Sequence, residues 1–145
     1  MTVAMLRLSI AILLFATAIV SPTSAATIKL KADLKASNEV PPNDSKGSGS
    51  VDITFDEATK KLTWKGTYKD LSGPAIGAHF HGPAQSGKNA GILISIFAIP
   101  NTPNQFEGSA TLTDEQVGYL NAGMLYVNIH TDANQAGELR GQVTK

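Results

Sequence analysis

The chain holds three histidines, and all of them lie in two short stretches, Ile76-Gly77-Ala78-His79-Phe80-His81-Gly82-Pro83 and Tyr126-Val127-Asn128-Ile129-His130-Thr131. In an extended strand successive side chains leave opposite faces, so His79 and His81 share one face while Ala78 and Phe80 share the other. The second stretch behaves alike. Leu125, Val127 and Ile129 fall on one face, and Tyr126, Asn128 and His130 on the opposite one. With the aliphatic faces turned to a core, all three imidazoles point outward. If the two strands are neighbours, His79, His81 and His130 form a metal site. If they are not, they are a solvated pair and a lone hydrogen-bonded histidine.

The chain has no cysteine, and outside the leader described below Met124 is its only methionine. A metal here therefore takes nitrogen and oxygen ligands. Three imidazoles without a thiolate suit copper in either oxidation state, or zinc with an open fourth position. Copper stands above zinc in the usual affinity order for nitrogen donors. It would equip the site for one-electron chemistry, whereas zinc would activate a water for hydrolysis. No carboxylate adjoins either histidine stretch as an evident general base, which ranks the zinc hydrolase last.

Four other residues merit attention. Arg140 leaves its strand opposite Leu139, on the face predicted for the histidines, where it would draw in a small anion; the alternative is a salt bridge with Glu138 or another acid. Asn128 and Tyr126 flank His130 on one face and are candidates for contacts behind the metal ligands. Glu39 lies in a proline-rich turn, as a carboxylate supporting the site or as a plain turn residue.

The elements that must position these residues follow a leader. Leu8 to Val20 is an apolar run after a single positive charge, and Ser21-Pro22-Thr23-Ser24-Ala25-Ala26 supplies the small residues of a cleavage site. Residues 1–25 are expected to be a signal peptide, and 26–145 the mature domain, exported and free of the membrane. The apolar run is shorter than the roughly 20 residues of a membrane span. The mature chain carries 11 basic and 12 acidic residues, a balance that argues against nucleic acid or an anionic membrane as partner.

Strands are then predicted at short, regular spacing. Ile28, Leu30, Ala32 and Leu34 alternate with Lys29, Lys31, Asp33 and Lys35. Val51, Ile53 and Phe55 mark a second strand, a turn at Asp56–Lys60 follows, and Leu62, Trp64, Gly66 and Tyr68 mark a third. Ile92 to Ile99 is nearly all apolar and reads as a strand buried on both faces. Phe106 to Leu112 is another strand. Thr113-Asp114-Glu115-Gln116 is a capping box opening a short helix that ends near Gly123. The last strand runs from Gly137 to Val143, with Glu138, Arg140 and Gln142 outward. The sum is an all-β domain, an antiparallel β-sandwich or barrel with one short helix.

Asn38-Glu39-Val40-Pro41-Pro42, Gly77-Ala78-His79-Phe80-His81-Gly82-Pro83-Ala84, Tyr126 to Thr131 and Gly137-Glu138-Leu139-Arg140-Gly141-Gln142 resemble, in order, the motifs of the CHRD domain family, named for repeats in chordin. One departure is Asn134-Gln135, where members often have Asn-Pro. The resemblance spans the mature chain and implies an extracytoplasmic β-sandwich, immunoglobulin- or superoxide-dismutase-like with Greek-key connections. The site pattern is also similar to the copper half of Cu,Zn superoxide dismutase, an analogy of geometry rather than homology. It implies that His79, His81 and His130 hold copper, that Arg140 guides the anion, and that superoxide is the substrate. This chain lacks a bridging histidine and a zinc-binding loop, so the analogy reduces to a copper-only centre. A non-catalytic extracellular interaction module and a copper carrier without turnover are the alternatives.

Overall fold

The computed structural model describes residues 26–96 and 104–145. The signal peptide expected over residues 1–25, and the end of the apolar stretch from 97 onward, lie outside the described residues. The described residues form eight strands: β1 (Thr27–Lys35), β2 (Ser48–Asp56), β3 (Lys61–Lys69), β4 (Ala75–His81), β5 (Ile92–Ile96), β6 (Gln105–Thr111), β7 (Tyr126–Thr131) and β8 (Leu139–Gln142). A helix, α1 (Asp114–Asn121), lies between β6 and β7. All strand pairs are antiparallel, in the order β5-β4-β7-β8-β1-β2-β3-β6.

This one sheet curls on itself. Trp64 of β3 and Phe80 of β4 stand near opposite ends of the strand order, yet their rings meet edge to face at 5.1 Å. The end strands β5 and β6 also come into contact, so the sheet is a nearly closed barrel. The expected all-β sandwich or barrel is the fold. Closure follows from alternation: every other residue of β1, β2 and β3 is apolar and buried, and a sheet with one greasy face hides it by wrapping around it. The interior is filled by Leu34, Ile53, Phe55, Leu62, Phe80 and Ile129, among others.

The capping box is present as predicted. The Thr113 hydroxyl accepts from the Gln116 backbone N–H, and the Gln116 side chain accepts from the Thr113 N–H. Gly123 ends the helical segment at φ +68°, a left-handed conformation that glycine adopts without steric cost, and the chain turns into β7.

Two expectations are corrected. The stretch from Ile92 was read as buried on both faces, but among the described residues β5 is the end strand of the sheet and pairs only with β4, and Ile92 is 56 % exposed. An apolar run does not distinguish a central strand from an end strand. The face of β7 and β8 that bears polar residues was expected to meet water. It is covered by the 82–91 loop and by the segment from Asn38 to Gly47. Asn89 Nδ2 donates to the Val40 carbonyl at 2.9 Å, and Asn38 Nδ2 donates to the Arg140 carbonyl at 3.1 Å.

Gly66 is a packing requirement. It sits opposite Phe106 in the β3–β6 ladder, and a Cβ there would collide with the Phe106 ring. Gly66→Ala is expected to lower unfolding free energy by about 1–3 kcal/mol in urea titrations. Gly118→Ala, in α1 with open space around it, is expected to raise stability by up to about 1 kcal/mol in the same assay.

Candidate metal centre

β4 and β7 are neighbours in the sheet. His79 lies opposite Asn128, His81 opposite Tyr126 and Gly77 opposite His130. His130 is thus the diagonal neighbour of His79 on the same face, a separation that ring side chains can bridge. His79 Nδ1 and His130 Nε2 are 3.0 Å apart. One ring nitrogen from each of His79, His81 and His130 lies within 4.8 Å of the others. Two nitrogens bound to one tetrahedral ion at 2.0–2.1 Å stand about 3.3 Å apart, so the His79–His130 pair is already at ligand spacing and His81 has a short distance to close.

Hydrogen bonds orient each ring. A backbone carbonyl only accepts, so His81 donates Nδ1–H to the Ala90 carbonyl at 3.0 Å, and His130 donates Nδ1–H to the Gln135 carbonyl at 2.8 Å. In the neutral ring of His130, Nε2 then keeps its lone pair. His130 Nε2 accepts the Nδ1–H of His79. His81 Nε2 lies 3.0 Å from Asn128 Oδ1, so an acceptor faces each nitrogen of this ring, and Nε2 keeps its lone pair only when the Asn128 amide turns its NH2 group toward it. An ion held by all three rings would replace the proton between His79 and His130 and release the Asn128 amide. Burial, then the charges of His130 and His81, hold the His79 pKa below its ordinary 6.5. Burial likewise depresses that of His81, against the hydrogen bonds to Ala90 and Asn128. Neutral imidazole, the form that ligates a metal, is thereby favoured.

Tyr126 and Asn128 both touch His81. The Tyr126 ring stacks on the His81 ring, with centroids 4.9 Å apart and planes 3° from parallel. Arg140 differs from expectation. It was placed outward as an accessible anion guide, but only 1 % of it is exposed. Its guanidinium carbon lies 3.5 Å from the Tyr126 ring centre, Nη1 donates to Asn89 Oδ1 at 2.9 Å, and Nη2 donates to the Lys88 carbonyl at 2.5 Å. Two of its N–H groups are thus directed at protein, and its burial keeps it from solvent. Among the described residues it forms no salt bridge with Glu138 or any other acid.

Glu39 stands outside the three-histidine group. It is 6 % exposed, and its carboxyl rests on Gly137, where φ is +137° and a side chain would collide with it. Glu39 Oε1 has no hydrogen-bond partner among the described residues. Burial raises its pKa to about 7, against the opposing pull of Arg140 and the Val40 N–H.

Glu138, read from sequence as outward, is fully buried. Its carboxylate accepts from the Ser45 hydroxyl at 2.6 Å, the Ser72 N–H at 2.7 Å and the Ser72 hydroxyl at 2.6 Å, and also from Thr131 and Asn134. Burial alone would raise its pKa, but these donors outweigh it and bring it down to about 2. The carboxylate thereby ties the 131–138 turn, which carries the Gln135 carbonyl, to two other loops.

The carbonyls of Ala90 and Gln135 and the Glu138 hub were missed in the sequence. The carbonyls had no side-chain signal to offer, and Glu138 looked like any polar residue in an alternating strand. A family model described as the CHRD domain matches residues 30–143. No curated protein and no solved structure matches the chain.

The two acids should respond oppositely to pH. Glu138, depressed in the fold, contributes stability above its unfolded value near 4.5 that is lost as pH falls toward 2. Glu138→Gln is expected to cost about 2–3 kcal/mol at pH 7 and far less at pH 3, by urea titration. Glu39, raised in the fold, favours the native state below pH 4.5 and opposes it as pH climbs through about 7. The stability of Glu39→Gln relative to the parent should therefore increase between pH 5 and pH 8; a flat difference would contradict the buried carboxyl with its unpartnered Oε1.

Proposed function

Because the chain belongs to the CHRD domain family, a family of extracellular domains, we propose that it is an exported copper-binding domain that acts on superoxide. Among the described residues no helix is long and apolar enough to cross a membrane. His79, His81 and His130 would hold the ion. The observation that carries this reading is the convergence of one ring nitrogen from each histidine to within 4.8 Å, with Nδ1 of His81 and of His130 turned to backbone carbonyls. The donor set is all nitrogen, which favours copper, with zinc the alternative.

Bound copper supplies one-electron exchange between two oxidation states. The overall reaction would convert two superoxide anions and two protons into dioxygen and hydrogen peroxide. The protein's part is to keep three neutral imidazoles convergent, to cover the His81 side with the 82–91 loop, and to leave the half-exposed His79 and His130 as the approach. Arg140 is 1 % exposed, with two of its N–H groups bonded to Asn89 and Lys88, and is poorly placed to steer an anion. That observation favours a second reading, a copper carrier without turnover. A CHRD interaction module that uses none of the histidines is the third.

Purified mature protein is expected to bind one Cu(II) per chain, with nitrogen hyperfine structure in its electron paramagnetic resonance spectrum. His81→Ala and His130→Ala should each weaken binding at least about 100-fold, on the scale of losing one of three ligands. Superoxide decay above free-copper controls supports the enzyme; stoichiometric copper without it supports the carrier. Absence of copper binding, with partner binding intact after all three histidines are replaced, would leave the interaction module.

A further inference from the structure

Arg140 is a buried cation with no carboxylate at ion-pair distance among the described residues, although its charge is felt by the Glu39 carboxyl. Among the described residues the ion pairs are Lys31–Asp33 and Lys60–Asp114, both elsewhere. Burying an unpaired charge is costly, and such groups persist where their hydrogen bonds hold something in place. The partners of Arg140 share a destination. Lys88 and Asn89, which accept from Nη2 and Nη1, are the two residues immediately before Ala90. Tyr126, whose ring faces the guanidinium, accepts the Ala90 N–H on its hydroxyl at 3.1 Å and donates to the Ala90 carbonyl at 3.3 Å. Asn89 is fastened from its other end by the bond to Val40. The Ala90 peptide is therefore anchored from several directions, and its carbonyl is the group that receives the Nδ1–H of His81.

We propose that Arg140 is a positioning residue: acting through Lys88, Asn89 and Tyr126, it holds the Ala90 carbonyl on His81 Nδ1 and so reserves Nε2 as the ligand atom. Which imidazole nitrogen carries the proton is set by the hydrogen bond that the other one makes. Asn128 Oδ1 faces Nε2 at 3.0 Å as a competing acceptor, so without a fixed acceptor at Nδ1 the proton shifts toward Nε2 and the fraction with a free Nε2 falls. The planar fork of arginine suits this task, because it spans two acceptors while lying flat on an aromatic ring. Lysine offers neither feature. The consequence for copper rests on the proposed function; the control of the His81 tautomer does not.

The test uses metal-free mature protein labelled with 15N-histidine, read at pH 8 by long-range 1H–15N spectra. The parent is expected to show His81 with a protonated Nδ1 and an unprotonated Nε2. Arg140→Met and Arg140→Lys should both move His81 toward a mixture of tautomers while His130, held by Gln135, stays unchanged. Tyr126→Phe, which removes only the hydroxyl, should move His81 in the same direction, and it decides the matter if the Arg140 variants fail to fold. Copper affinity, measured separately, should fall about 10–100-fold in each variant, the usual cost of losing a group that orients a ligand. An unchanged His81 tautomer in Arg140→Met or Tyr126→Phe overturns the proposal, as does full rescue by Arg140→Lys, which would show charge alone at work. Failure of the parent to bind copper would remove the proposed function and leave the tautomer result to be judged on its own.

Discussion

His79 and His130 meet because β4 and β7 run antiparallel with His79 opposite Asn128 and Gly77 opposite His130. Strand periodicity makes this register consequential. A slip of one residue would send His130 into the barrel and expose Ile129, so the packing of Ala78, Phe80, Val127 and Ile129 in the core also fixes which side chains lie opposite one another outside it. The hydrophobic effect thus sets the geometry of a polar cluster it does not touch. No disulfide assists, because the chain has no cysteine.

The outer face of β4, β7 and β8 is a second buried layer, and it is polar. Its solvation problem is met in two ways. Glu138 is surrounded by hydroxyl and N–H donors and stays ionised over most of the pH scale. Arg140 is satisfied by neutral acceptors and an aromatic face. Both hold loops whose backbone carbonyls face histidine rings. Glu138 braces the turn bearing Gln135, and Arg140 braces the loop bearing Ala90. Glu39 is the contrast, a buried carboxyl with an unpartnered oxygen whose pKa moves the other way.

This separation of core and site suits an extracellular CHRD domain. The barrel interior is aliphatic and aromatic, and it sets the strand positions. The loops on the outer face can then be shaped by what the histidines require. Only the half-exposed His79 and His130 open the cluster to solvent, while His81 lies beneath the loop that anchors it.

Alternation in β1, β2 and β3, the turn after Asp56 and the capping box at Thr113 made the all-β fold, the short helix α1 and the inward residues legible in the sequence, because each depends on neighbours a few residues away. The same local rule put His79, His81 and His130 on faces of matching polarity. It did not make β4 and β7 neighbours, since a period of two names a face and not a partner. Nor did it reveal that a loop covers that face: Tyr126, Asn128, Glu138 and Arg140 alternate with apolar residues in the same way whether water or protein lies above them. Ile92 shows the converse, an apolar run that proved to be the end of the sheet. Tertiary structure alone decided that Arg140 points into the protein and that the Ala90 and Gln135 carbonyls face Nδ1 of His81 and of His130, because a backbone carbonyl is the same in every residue and only its position gives it a role.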